Sequence, residues 1–325
     1  MNVRRTGAVL GAMIVAAIAL PGSASALPTM IRLGYADCAA CHYSPQGGGP
    51  LNAYGRGIDQ AQSRRGGEYA PSEEPWARSL TFGDRVTQDL RSVLQRQDSQ
   101  AAGGAWSDTF KPRLMYRNVT KVNDSFRLSG VVTLESAHSP RPALSYDPAA
   151  HASSVFVNTA LVHYHASDAI EFAAGRDQLP TGVNLADTTS FVRARNGLGT
   201  LDAPMQIKMS WNARRFHVMP FGYTDTGNEL APERETGAGT LFEVDVLGRQ
   251  KTVVGTTLLT GSADNGNRNM VGAYARLGFG QWGILAEHDV TSRTRELSAP
   301  TAFQQTATFG QVFWAAREWL VASGT

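Results

Sequence analysis

The chain has 325 residues, enough for one large domain or two modest ones, and Lys+Arg 30 against Asp+Glu 28 leaves a net charge of +2. That near-balance argues against an electrostatic nucleic-acid binder, which needs a clustered basic face. Two cysteines exclude a disulfide-built scaffold and an iron–sulfur protein, which usually needs four thiolates. Beyond residue 20 no apolar run approaches the roughly 18 residues of a membrane helix, which excludes a helical membrane protein but not a β-barrel.

The N-terminus reads as an export signal. Arg4 and Arg5 form a positive region, Ala8 to Leu20 an apolar one, and Pro21-Gly22 break it. Ala24-Ser25-Ala26 is an A-x-A cleavage site, so residues 1–26 are expected to be removed and the mature chain to begin near Leu27. Arg4-Arg5 lack the rest of a twin-arginine pattern, which favours general secretion.

Cys38-Ala39-Ala40-Cys41-His42 follows, a C-x-x-C-H sequence, the attachment pattern of c-type haem. Two thiols at this spacing can each form a thioether to one of the two vinyl groups of a single haem. The adjacent His42 is then held under the iron as proximal ligand. Cys38, Cys41 and His42 are therefore the cofactor-binding candidates, with one covalent haem c as the cofactor and His42 as the iron ligand. A thioredoxin-like site would want a βαβ context, and a disulfide across so short a spacing would be strained. A zinc site would want a second ligand pair; His138, His151, His163, His165, His217 and His288 lie far downstream without such spacing. The sixth ligand is not legible; Met30 is the nearest methionine but lies upstream and serves equally well as an apolar anchor beside Leu27 and Ile31.

Residues 27–75 form a small haem domain in this reading. Ser44-Pro45-Gln46-Gly47-Gly48-Gly49-Pro50 is a loop, with no Gly-Lys-Ser/Thr to make it a phosphate cradle. Leu51-Asn52-Ala53-Tyr54-Gly55-Arg56 leads into a short helix reaching Arg64, and Arg64 to Pro75 reads as a linker. So short a segment needs another surface to bury a haem edge.

Residues 76–325 change character. Period-two alternation predicts strands near 80–94, 109–120, 126–136, 155–166, 169–176, 205–212, 214–224, 239–248, 251–261, 269–279, 282–291 and 305–317. Long connections (95–108, 137–154, 177–204, 225–238, 262–268, 292–304) alternate with short ones at 122–125, 167–168, 213, 249–250 and 280–281. That is the pattern of an outer-membrane barrel, with tight periplasmic turns and longer external loops. A propeller would show a repeat near 40–45 residues, and none is present. Lys208, Glu243, Asp245, Arg276, Glu287 and Asp289 sit on strands, where a polar lumen accepts them. The four carboxylates among them could draw metal cations, or simply solvate the lumen. Trp211, Trp282, Trp314, Trp319, Tyr223 and Phe279 fall near strand ends, as an aromatic girdle would or as core packing would. Residues 314–320 would serve equally as a helix, so twelve strands is a minimum. Nothing legible supports a nucleophilic triad, a P-loop or a dinucleotide fold.

The expected fold is thus all-β, an antiparallel outer-membrane β-barrel preceded by a small c-type haem domain. A signal peptide, one C-x-x-C-H, the Pro50-Leu51-Asn52 stretch with Tyr54-Gly55, and a porin-like β domain together resemble the fused monohaem cytochrome–porin family. That family comprises outer-membrane proteins of iron-oxidising bacteria and their relatives. The chain departs from it in the inserted Ser44 to Gly49 run and in a shorter barrel. The resemblance implies outer-membrane lipid as environment. It also implies electron relay between an extracellular donor or acceptor, such as Fe(II), and a periplasmic carrier. Whether this is an Fe(II)-oxidising cytochrome or only a carrier stays open, as do two alternatives: a passive porin with a haem sensor or plug, and a soluble periplasmic cytochrome.

Overall fold

The computed structural model describes residues 41–42, 54–55, 58, 85–100, 106–135, 155–183, 196, 198, 203–224, 235–247, 252–263, 266–297, 299–317 and 320–324. The signal segment, Cys38 and Trp319 lie outside the described residues. Thirteen strands are seen: β1 Val86–Gln100, β2 Trp106–Lys121, β3 Phe126–Glu135, β4 Val155–Ser167, β5 Ile170–Arg176, β6 Met205–Asn212, β7 Phe216–Thr224, β8 Thr236–Asp245, β9 Thr252–Ala263, β10 Gly266–Phe279, β11 Trp282–Leu297, β12 Ala299–Arg317 and β13 Leu320–Gly324. They form one sheet in chain order, each strand antiparallel to the next. The twelve expected strands are all present. Residues 314–317 continue β12, and β13 pairs back onto it through a bulge at Ala315/Arg317, so the helical alternative fails there.

The alternation is inside-out relative to a water-soluble protein. On β6, Ile207 is 62% exposed while its neighbour Lys208 is 3% exposed. The same holds around the sheet. Glu243, Arg268, Arg276, Glu287 and Asp289 are buried on one face, and Leu128, Val162, Phe172, Leu258, Val271 and Val312 are exposed on the other. A soluble core rejects the first set, and water disfavours so continuous an apolar exterior as the second. Both sets are satisfied when the sheet winds round a polar interior and turns its outer face to lipid: the fold is an outer-membrane-type β-barrel. On β10 the outward positions from Val271 to Phe279 are all apolar. Eight rises of ~3.3 Å, tilted at about 40°, give an apolar band roughly 20 Å tall, near the height of the bilayer core such barrels span.

Among the described side chains, paired outward aromatics line one rim. Phe126 and Tyr164 have centroids 5.0 Å apart, Tyr164 and Phe172 6.4 Å, Phe216 and Phe242 6.1 Å, and Trp282 and Trp314 5.8 Å. Each of these residues lies near a short turn: 122–125, 168–169, 213–215, 246–251, 280–281 or 318–319. Gly280 takes a positive φ in the two-residue turn 280–281. Trp211, Phe279, Trp282 and Trp314 occupy the girdle as expected, each exposed. Tyr223 does not. It sits at the far end of β7, faces the interior and is 5% exposed, because its position in the alternation matches His217 and Phe221.

The opposite rim departs from the expected loop lengths. Connections 136–154, 177–204 and 225–235 are long, but 101–105, 264–265 and 298 are short. Residues 292–296 are polar on both sides, which reads as loop from sequence alone. They instead continue the β11–β12 ladder beyond the apolar band, up to Leu297 opposite Ala299. β1 enters at the short-turn rim, with Val86 opposite Thr120.

Candidate functional site

At the N-terminus, His42 is buried, 8% exposed, and Cys41 beside it is half-buried. Tyr54 and Gly55 are helical, just ahead of the stretch where the sequence predicts the short helix, and Ile58 is helical within it. Gly55 lies directly on Cys41: a Cβ at this position would collide with the carbonyl oxygen, carbonyl carbon and Cα of Cys41. Only glycine permits that approach. The two halves of the motif recognised in sequence, the cysteine–histidine pair and the aromatic–glycine pair, are thus packed together. A shielded imidazole adjacent to a cysteine, braced by a second backbone segment, fits the proximal side of a c-type haem. Cys38, the other expected thioether, lies outside the described residues.

Inside the barrel, the β5–β6 connection turns inward. Its base is closed by Arg176 Nε donating to Ala203 O (2.8 Å) and Gln206 Nε2 to Asp177 O (2.6 Å). From there it reaches the β9–β11 wall. Gly182 N donates to Thr257 Oγ1 at 3.0 Å and Val183 N to Glu287 Oε2 at 3.0 Å. Asn196, fully buried, donates from Nδ2 to Asp289 Oδ2 (2.8 Å) and accepts from Thr291, while its carbonyl oxygen accepts from both Arg268 (2.7 Å) and Arg293 (2.9 Å). Apolar contacts follow the same path. Val183 joins Met219, Leu241, Val253, Tyr274, Leu285 and Phe313, and Leu179 and Leu198 join Phe221, Tyr223, Leu259 and Met270.

The strand charges expected to face the lumen do so. Glu243 accepts from Arg276 (2.7 Å) and Tyr274 (2.8 Å), and Lys208 donates to Asp177 Oδ2 (2.6 Å). Glu235 pairs with Arg268 and Tyr223. The carboxylates are therefore spent on neighbouring strands and on the inward loop. Among the described residues no three side chains of His, Cys, Asp or Glu are grouped to hold a metal ion, so the cation-drawing option for Glu243, Asp245, Glu287 and Asp289 gains no support.

Two further constellations lie on β3 to β8. Ser129 Oγ is 2.8 Å from His163 Nε2, and His163 Nδ1 is 2.9 Å from Glu171 Oε1. Ser210 Oγ is 3.0 Å from His217 Nε2, and His217 Nδ1 is 3.3 Å from Glu243 Oε2. Each runs across three consecutive strands, β3–β4–β5 and then β6–β7–β8. Glu171 and Ser210 face one another in register, and both line a small cavity with Ala173, Lys208 and Met219. The sequence reading, which found no nucleophilic triad, missed these. One signal was present: Lys208, Ser210 and His217 share the polar phase of an alternation that crosses the Ala213 turn, so a hairpin there must bring Ser210 and His217 to the same face.

Comparison with known proteins adds similarity of shape only. No family model matches the chain, and no curated protein matches it. Among solved structures it is similar to OmpT, an outer membrane protein of Vibrio cholerae. The outer-membrane expressed form shows 13% identity over 73% of this chain and 73% of that one, at a TM-score of 0.49. Its loop L8 deletion mutant gives 11% identity over 74% and 92%, at 0.43. A triple mutant of the Rhodopseudomonas blastica porin gives 10% identity over 70% and 98%, at 0.33.

Proposed function

We propose that this chain is an outer-membrane channel with a polar lumen, carrying one covalent haem c on an N-terminal segment at its short-turn, periplasmic side. The inside-out sheet supports the channel. Its interior face carries charged and hydrogen-bonding groups from β3 to β11, and its exterior carries an apolar band with a girdle at one rim. Lipid is the solvent of the outer face, and water with small polar solutes that of the inner one. The inward loop narrows the path and is fixed to the wall through Asn196. The test is single-channel conductance of the purified protein in a planar bilayer. Discrete steps, raised in Asn196→Ala, support the reading. A protein that inserts, shows the heat-shifted gel mobility of a folded barrel and never conducts refutes it.

A second reading is favoured by Cys41, His42 and Gly55: electron relay, as in the cytochrome–porin family the chain resembles. When bound, the haem would supply one-electron redox chemistry, Cys38 and Cys41 would hold it covalently, and His42 would ligate its iron. The burial of His42 keeps water from the imidazole, and the contact of Gly55 with Cys41 fixes the attachment segment. Fe(II) is the first extracellular donor to try, with a periplasmic carrier as its counterpart. Reduction of a c-type absorption band when Fe(II) is added outside sealed, right-side-out vesicles supports relay. A band that stays oxidised while small sugars leak leaves the channel with a haem sensor or plug.

A further inference from the structure

We propose that Ser210, His217 and Glu243 form a hydrolytic site on the lumen wall that cleaves small carboxylic esters. The three residues meet the geometric demands of nucleophile, base and orienting acid in the right order. Register places them: Trp211 pairs with Val218 and Asn212 with His217, so Ser210 lies diagonal to His217 across the hairpin, and Glu243 lies directly opposite His217 on β8. An Nδ1–H donated to Glu243 fixes the imidazole tautomer and leaves the Nε2 lone pair to accept the Ser210 hydroxyl. Glu243 is itself held by Arg276 and Tyr274, so the acid cannot swing away from the ring.

Two features separate this trio from the matching one on β3–β5. Asn212 Nδ2 donates to Ser210 Oγ at 3.3 Å, which places a side-chain amide beside the nucleophilic oxygen. The small cavity also opens at Ser210, lined besides by Glu171, Ala173, Lys208 and Met219, and has room for about one water molecule next to the hydroxyl. Ser129 has neither among the described residues. On its own face of β3 its neighbours are Arg127, whose guanidinium is bound to Glu171, and buried Val131. The second trio therefore serves as an internal control with the same wiring.

The step balances with water as the only co-reactant. Ser210 Oγ forms a bond to the ester carbonyl carbon while its proton passes to His217 Nε2. The carbon–oxygen bond to the alcohol breaks, and His217 returns that proton to the leaving alkoxide. Water, deprotonated by His217, then attacks the acyl-serine, releasing the carboxylic acid and restoring the Ser210 hydroxyl.

The test uses the full chain folded in detergent, a fluorophosphonate probe with the adduct mapped by mass spectrometry, and p-nitrophenyl acetate as substrate. An adduct at Ser210, absent from Ser210→Ala and slowed in His217→Ala, with Ser129→Ala unaffected, supports the proposal. Asn212→Ala is expected to lower kcat about 100-fold with KM unchanged. Unlabelled Ser210 in wild-type protein that shows the heat-shifted mobility of a folded barrel overturns it. So does an adduct that forms equally fast in His217→Ala or equally at Ser129. The wild-type mapping needs no variant to fold.

Discussion

The pair Lys208–Asp177 tests whether this interior is a dry wall or a wet one. Nζ and Oδ2 are 2.6 Å apart, and the side chains are 2% and 9% exposed. At an effective dielectric constant of about 20 the attraction at that distance is roughly 6 kcal/mol. Removing two ions from water costs several kcal/mol each, so the pair as a whole is close to neutral. Breaking it is not. Lys208→Met takes away the ammonium facing a carboxylate that Thr159 Oγ1 also supports at 2.9 Å, and Asp177→Asn takes away the carboxylate facing the ammonium. Each single change should cost about 3 to 5 kcal/mol, and the double change Lys208→Met/Asp177→Asn only about 1 to 2 kcal/mol. Equilibrium urea unfolding in micelles, followed by tryptophan fluorescence, gives the double-mutant cycle. Single costs below about 1 kcal/mol, the range of exposed pairs, would mean that lumen water screens this site and that the burial argument is wrong.

Other perturbations separate the outer wall, the inner joints, the rim and the N-terminal segment. Ala275 faces outward midway along the β10 band, so Ala275→Arg should destabilise the folded barrel by about 2 to 4 kcal/mol in lipid, whereas Asn269→Arg near the rim should cost about 0 to 1 kcal/mol. The end of the Phe313 ring sits over Gly283 of the adjacent strand; Phe313→Ala should cost roughly 3 to 5 kcal/mol in the same unfolding assay, and Gly283→Val should destabilise too, because its side chain meets the ring. Gly55→Val should cut covalent haem content, read by haem staining, while heat-shifted gel mobility of the barrel is kept. The Lys121 ammonium beside Asp124 holds that turn carboxyl below its usual range. Its contribution is present above the unfolded carboxylate value and fades as pH falls through the folded one. Water screens so exposed a pair, so Asp124→Asn should leave the urea midpoint at neutral pH unmoved.

Strand positions were legible because each face has one solvent. Met205 to Trp211 alternates lipid-facing and lumen-facing residues without interruption, and a period of two survives whichever face is buried. The direction of a particular side chain was less so. Tyr223 ends a strand, as a girdle residue would, and only its phase relative to His217 shows that it points inward. Loop lengths failed where polar residues sit on both sides of a ladder that has left the membrane, as at 292–297. The lumen constellations depend on partners 34 and 26 residues apart, and the loop anchor on partners 104 apart. Such contacts are set by register and by where a loop lands, and a period of two carries neither.

Where the inward loop lands also decides what is left for solute. Leu179, Val183 and Leu198 bury their side chains against Met219, Phe221, Tyr223, Tyr274, Leu285 and Phe313, all on β7 to β12. That side of the interior carries packed apolar side chains beside the hydrogen-bonded Asn196. Apolar burial of this kind resists the loss of any one hydrogen bond, so Asn196→Ala should loosen the loop without releasing it. The groups that remain for a polar path are those of β2 to β6: Arg113, Arg117 and Arg127, the two histidines His163 and His165, Glu171, Lys208 and Ser210. The small cavity at Ser210, whose hydroxyl accepts from Asn212, lies on that side.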